Sequence, residues 1–171
     1  MNTLKKNLVL TGMMGSGKTT IGKSLSQRLN MQFADIDDII EKKNGLSISA
    51  IFEQRGEKTF RQEEEEESKN AIKRSNIIIA LGGGAFINEN IRDEIKKNSV
   101  SIWLDLDVEI LYKRVNLSQK RPLLKYSSKE NLKKIYNDRK RIYSLADFKI
   151  QCTLKNKDQI INEIVKIYAS R

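Results

Sequence analysis

Histidine is absent from the 171 residues. Its absence removes Ser-His-Asp and Cys-His catalysis, histidine-ligated metals and any imidazole acid–base step. The single cysteine, Cys152, excludes an internal disulfide framework; with no histidine beside it, a structural zinc site is excluded too. A lone cysteine suits a reducing compartment, so a cytoplasmic location is expected. The longest apolar run, Ile77 to Leu81, falls far short of the ~20 residues of a membrane span. Leu8 to Leu10 is too short an apolar stretch for a signal peptide. Proline occurs once, at Pro122, so glycines punctuate the chain. Acidic residues are in deficit, 22 against 32 Lys and Arg, for a formal charge of +10. Such a surplus suits anionic partners, or is simply a lysine-rich surface. Twelve basic and three acidic residues lie between Lys113 and Lys149. The run Glu63 to Glu67 is the opposite extreme and reads as a solvated helix face. The basic residues are not interleaved with aromatics and form no recognisable RNA or DNA module, so nucleic acid is not an expected partner.

The length fits one domain with a full core. Short apolar runs alternate with helical periodicity. Leu8 to Leu10, Phe33 to Ile36, Asn76 to Leu81, Val100 to Leu104 and Phe148 to Thr153 read as strands. Lys18 to Leu29, Asp37 to Asn44, Ser47 to Phe52, Glu57 to Arg74, Asn88 to Lys97, Val108 to Val115 and Gln159 to Ala169 read as helices. Asp107 is placed to cap one of them. Ser127 and Glu130, at capping-box spacing, start another that runs toward Leu145. Asn116 to Tyr126 has no period and reads as a basic loop. Strands alternating with helices imply an α/β fold with a mostly parallel sheet, whose ligands bind beyond the carboxyl ends of the strands.

Gly12-Met13-Met14-Gly15-Ser16-Gly17-Lys18-Thr19 matches G-x-x-x-x-G-K-[ST] and lies between a predicted strand and a predicted helix. Glycines let successive backbone N–H groups turn onto a phosphate. The helix N-terminus favours negative charge there. Lys18 would reach the β- and γ-phosphates, and the Thr19 hydroxyl would face Mg²⁺. The motif predicts nucleoside triphosphate binding and leaves the acceptor open; the length suits a small kinase.

Other segments fall on the ligand side of the predicted sheet. Asp35 and Asp37, two apart at a strand end, would point the same way if extended. One would serve the metal's water shell and the other an attacking hydroxyl; helix capping by Asp37 and Asp38 is the competing reading. Arg61 and Glu64 share a helix face, as a carboxylate clamp or as a surface ion pair. Gly82-Gly83-Gly84 after a buried strand suggests close approach to a ligand, or a flexible turn. Arg121 beside Pro122 is a candidate for a closing loop, and Arg114 for stacking on a base. Arg139, Lys140 and Arg141 precede Tyr143 on the next helix.

In this order and near this spacing, the P-loop, Asp35-Ile36-Asp37, Phe60-Arg61 with Glu64, Gly82-Gly83-Gly84, Arg121-Pro122-Leu123-Leu124 and Arg139 with Tyr143 resemble the shikimate kinase family. The resemblance implies a three-layer α/β/α P-loop kinase fold whose five-stranded parallel sheet has the order 2-3-1-4-5. It implies one domain over 1–171, with a substrate-binding segment about 35–75 and a mobile lid about 116–126. The implied reaction transfers the γ-phosphoryl of ATP to the 3-hydroxyl of shikimate, in the route to aromatic amino acids, with Mg²⁺ as cofactor. ATP and shikimate are then the partners, with no membrane, no nucleic acid, and a monomer expected. By the same resemblance Gly12, Gly15, Ser16, Gly17, Lys18, Thr19 and Thr20 surround the nucleotide phosphates. Arg114 adjoins adenine and Arg121 is the lid arginine. Thr19 and, through water, Asp35 serve the metal. Asp37 meets the shikimate hydroxyls, Arg61 and Arg139 clamp its carboxylate, and Glu64 and Gly82, Gly83 and Gly84 complete the site. Arg141-Ile142 stands where the family often has Pro-Leu. The alternatives are another small-metabolite kinase of this fold, such as gluconate kinase, or a P-loop protein acting on nucleic acid.

Overall fold

The computed structural model describes residues 6–117 and 128–170. Arg121 and most of the expected lid lie outside the described residues. The chain runs β1 (Asn7–Thr11), α1 (Lys18–Leu29), β2 (Gln32–Asp35), α2 (Ile36–Asn44), α3 (Ile48–Ile72), β3 (Ile77–Ala80), a short 3₁₀ turn (Ala85–Ile87), α4 (Glu89–Asn98), β4 (Ser99–Asp105), α5 (Val108–Leu117), α6 (Lys129–Tyr143), β5 (Phe148–Gln151) and α7 (Lys157–Ala169).

The sheet has the order β2-β3-β1-β4-β5, and every pairing is parallel. Leu8 lies opposite Ile78 on one side and Val100 on the other. This is the order that the resemblance implies. All residues of β1, β3 and β4 are buried, as expected of inner strands covered on both faces. Right-handed crossovers explain the layers: the chain moves one way from β1 to β2 and the other way from β2 onward. Helix α1 therefore covers one face, where α7 packs on it, and α3 and α4 cover the other. The connections leaving the neighbours β1 and β3 therefore run in opposite directions, and such a divergence opens a crevice at the carboxyl ends of these strands.

Local rules set most helix ends. Asn88 caps α4 through Asn90 N and Ile91 N, Asp107 accepts from Glu109 N, and Asn156 with Gln159 forms a capping box at α7. The break expected between Phe52 and Glu57 is a kink at Gly56 (φ 81, ψ 163) within α3. Two expectations shift. Helix α6 is capped by Ser128, which accepts from Asn131 N at 3.2 Å, one residue past the expected Ser127. Adjacent serines offer the same hydroxyl, and the geometry that counts is the reach to the third helical N–H. Asn116 and Leu117, expected at the start of a loop, form the last turn of α5.

Candidate active site

The P-loop joins β1 to α1. Gly12 has φ +137, and a Cβ there would lie 2.7 Å from the Leu104 carbonyl oxygen, so glycine is required on two counts. The turn closes with Ser16 N donating to Met13 O at 3.2 Å. Lys18 Nζ donates to Gly12 O and Met13 O, each at 2.9 Å, which holds its charge at the loop. Ser16 Oγ is buried without a hydrogen-bond partner among the described residues. A buried, unpaired hydroxyl beside the N-terminus of α1 fits a ligand rich in acceptors, such as a phosphate. Arg114, near the end of α5, donates from Nη1 to Gly15 O at 3.1 Å, so it sits beside the loop. Thr20 is exposed in the first turn of α1.

Thr19 Oγ1 donates to Asp35 Oδ2 at 2.5 Å. The other oxygen, Asp35 Oδ1, accepts from Asp37 N at 3.1 Å and Asp38 N at 3.4 Å. This corrects the extended reading of Asp35-Ile36-Asp37. The strand ends at Asp35, which is the N-cap of α2, and Asp37 already lies in the first helical turn. Helix capping won locally, but through Asp35 rather than Asp37 or Asp38. The two carboxylates thus separate: Asp35 faces the P-loop threonine, and Asp37 lines a neighbouring cavity.

That cavity, of about 210 Å³, lies against Met14 of the P-loop. Asp37, Arg61, Glu64, Gly83, Gly84 and Arg139 supply its polar wall, with Ser49; Ile48, Phe52, Phe60 and Ile135 supply the apolar one. Arg61 Nη1 donates to Glu64 Oε2 at 2.7 Å, and Nη2 donates to Glu57 Oε1 at 3.3 Å. Its guanidinium stacks near Phe60 (5.2 Å) and Phe52 (5.9 Å). Glu64 is 2 % exposed. Burial pushes its carboxyl up; Arg61 pulls the other way, and Asp37 adds to the rise. Arg61 is itself raised: burial opposes its charge, but Glu64 and Glu57 outweigh burial. Arg61 is therefore an oriented cation rather than a loose surface pair.

The glycine run packs tightly. A Cβ on Gly82 would lie 2.6 Å from Glu64 Oε1 and 2.7 Å from Asp37 Oδ1, and one on Gly84 would overlap the Arg61 guanidinium. What Gly82 and Gly84 approach closely is the chain's own Glu64, Asp37 and Arg61 side chains, where the sequence reading expected a ligand or a flexible turn. Gly82→Ala should therefore displace both carboxylates: a ligand of the Asp37–Glu64 region should bind more weakly while binding at the P-loop, measured by calorimetry, stays near wild type. Gly83 O accepts from Arg139 Nη1 at 3.0 Å and from the Tyr143 hydroxyl, so α6 is docked on this turn. Tyr143 also reaches Met13 Sδ (3.7 Å), and burial raises its phenol pKa, with Arg139 opposing.

The structure thus brings Asp37, Arg61, Glu64, Gly83, Gly84 and Arg139 into one cavity and sets Lys18, Thr19, Asp35 and Arg114 about the adjoining loop. Sequence reading missed Phe52 and Ile135 in the cavity wall and Glu57 on Arg61. Glu57 and Arg61 sit four apart on a helix, a spacing that could have flagged the pair.

A parallel sheet of this order, a P-loop at its crevice and an acceptor cavity beside it define a P-loop kinase. The shikimate kinase family model matches residues 14–169. The chain is 41% identical to shikimate kinase of Sulfurihydrogenibium sp. over 94% of its own length and 96% of the relative's. It is 39% identical to that of Persephonella marina over 94% and 97%. Among solved structures, shikimate kinase from Acinetobacter baumannii in complex with shikimate superposes with a TM-score of 0.92 at 31% identity, covering 98% of this chain and 94% of that one. A gluconokinase from Sinorhizobium meliloti shares the fold, with a TM-score of 0.63, at 11% identity. The chain belongs to the shikimate kinase family and is an ATP-dependent kinase. Among the described residues no helix is long and apolar enough to cross a membrane.

Proposed function

We propose that this kinase transfers the γ-phosphoryl of ATP to the 3-hydroxyl of shikimate, giving shikimate 3-phosphate and ADP for aromatic amino-acid synthesis. The observation that carries this reading is the convergence of two arginines, Arg61 from α3 and Arg139 from α6, on one cavity with Asp37 beside the P-loop. Shikimate is a small carboxylate bearing three hydroxyls. Guanidinium forks suit the carboxylate, while Asp37, Glu64 and the Gly82-Gly83-Gly84 turn suit hydroxyls.

Phosphoryl transfer needs position and charge neutralisation more than covalent chemistry. Gly12, Gly15, Ser16, Gly17 and Thr20 surround the phosphates, and Lys18 follows the γ-phosphoryl. Arg114 lies at the adenine side. Asp37 accepts a hydrogen bond from the 3-hydroxyl and holds its oxygen in line with the γ-phosphorus. As the new P–O bond forms, the bond to the bridging oxygen of ADP breaks and the hydroxyl proton leaves along the Asp37 contact. The Thr19 hydroxyl and Asp35 carboxylate are hard oxygen donors in contact, a set that suits Mg²⁺ held partly through water and phosphate. When bound, Mg²⁺ neutralises charge on the β- and γ-phosphates. Arg121, outside the described residues, is proposed from the resemblance alone as the lid arginine.

The test is ADP release with and without shikimate, with gluconate as control. Shikimate-dependent ADP release together with a phosphorylated shikimate product is the expected result; equal release with gluconate, or none with shikimate, would reject the reading. A second expectation concerns Arg61. Arg61→Lys keeps the charge and loses the fork, so the KM for shikimate should rise roughly ten- to hundredfold, the value of a charge-assisted hydrogen bond. The KM for ATP should not move. Steady-state kinetics with each substrate varied in turn checks both.

A further inference from the structure

The helix that carries Arg139 is tied to the sheet on both sides of that residue. Tyr136, Arg139 and Tyr143 are three and four residues apart, so they share a face of α6. On the C-terminal side, Tyr143 donates to Gly83 O, the same carbonyl that Arg139 reaches. One turn before Arg139, the Tyr136 hydroxyl donates to Asp105 Oδ1 at 2.7 Å. Asp105 ends β4, and its side chain is only 5% exposed. Its second oxygen accepts from Lys149 Nζ of β5 at 2.8 Å, and its backbone carbonyl accepts from Cys152 N at 2.7 Å. Lys149 holds the carboxylate and Cys152 the backbone of the same residue, so the acceptor offered to Tyr136 is fixed at both places and does not follow the tyrosine if α6 rotates.

We infer that the Tyr136–Asp105 hydrogen bond, braced by Lys149, positions Arg139 in the acceptor cavity, making Tyr136 a positioning residue for shikimate. The inference rests on the reading that Arg139 holds the acceptor carboxylate. Arg139 has a long side chain whose anchors, the Gly83 carbonyl at 3.0 Å and the Tyr143 hydroxyl, both lie on the C-terminal side of the turn that Tyr136 holds. Buried Leu132 and the Lys129–Glu109 ion pair also seat α6, but packing and an exposed ion pair leave small rotations of the turn before Arg139, and such a rotation displaces the guanidinium at the cavity wall. The Tyr136 contact removes that freedom. Asp105 lies on the far side of Gly83 from Asp37 in sheet order, across β1, so the tie reaches the acceptor site without touching substrate. An ordinary packing contact would contribute stability alone. A positioning contact changes one substrate's KM and acts only through Arg139.

Tyr136→Phe keeps the half-buried ring and deletes only the hydroxyl. The expected result is a rise in the KM for shikimate of about three- to tenfold, less than the full value of a hydrogen bond to a carboxylate because the effect reaches substrate only through Arg139. kcat and the KM for ATP should hold, and the melting temperature should stay within a few degrees. Arg139→Lys alone should also raise the KM for shikimate. In the Tyr136→Phe, Arg139→Lys double variant the tyrosine's share should vanish, because the fork it positions is gone. Lys149→Met, at an exposed lysine, gives a second variant that loosens Asp105 without touching α6 and should raise the same KM more weakly. If Arg139→Lys raises the KM for shikimate but Tyr136→Phe does not, or adds its full factor in the double variant, or raises the KM for ATP equally, the positioning role is wrong and the acceptor reading stands. If Arg139→Lys leaves the KM for shikimate unchanged, the acceptor role of Arg139 fails and the inference falls with it.

Discussion

Lys18→Ala should reduce turnover by several orders of magnitude and leave the fold intact. Lys18 is 9% exposed at the centre of the P-loop, with its ammonium at the Gly12 and Met13 carbonyls. Charge builds on the transferring phosphoryl group only as the reaction proceeds, so a cation that follows it stabilises the transition state more than the ground state. The loss should therefore fall on kcat, with a smaller change in ATP affinity. Single-turnover kinetics with shikimate separates the two. Near wild-type turnover in this variant would reject the assigned role of the loop lysine.

Asp37→Asn is expected to have the next largest effect. The change is nearly isosteric, keeps the first turn of α2 and removes one negative charge. Asp37 lines the acceptor cavity, while the adjacent Asp35 caps α2 and receives the Thr19 hydroxyl. The expected outcome is a loss of kcat of roughly a hundredfold or more, the usual range for removing a positioned proton acceptor, with ATP affinity near wild type. Calorimetry for ATP alongside turnover for shikimate distinguishes the sites. A loss of ATP affinity with catalysis preserved at saturation would place Asp37 with the nucleotide. Asp35→Asn should differ in kind: asparagine caps a helix about as well as aspartate, so α2 keeps its cap, while the charged acceptor of the Thr19 hydroxyl is lost.

The P-loop was legible because its determinants lie within eight consecutive residues, and the strand before it and helix after it are strongly patterned. The sheet order was legible only through resemblance, since apolar runs give strands but not their neighbours. Asp35 and Asp37 show where local reading fails. The same carboxylate can extend a strand or cap a helix, and the choice is made by which backbone N–H groups come within reach. Arg61 and Glu64 were visible as a pair by helical spacing, but their conversion from a surface pair to an oriented clamp depends on burial by Phe52 and Phe60, supplied across the Gly56 kink. The Tyr136–Asp105 contact spans 31 residues and two elements, and no local pattern announces it.

The pairing of β1 sets a schedule for biosynthesis. Its two partners, β3 and β4, place Ile78 and Val100 beside Leu8, so β1 is fully seated only after the chain through β4 has left the ribosome. Until then the nascent chain carries the entire phosphate-binding motif without the scaffold that shapes it: the Leu104 carbonyl against which Gly12 turns has not yet emerged. Nucleotide can help fold the protein only after that point, and, on the proposed reading of Arg139, shikimate later still. In the interval, strands that are apolar on both faces wait without partners, the condition in which chains of this topology associate with one another. The window for such misassembly is thus set by translation speed across the hundred or so residues between the first strand and the fourth, rather than by the stability of the finished enzyme.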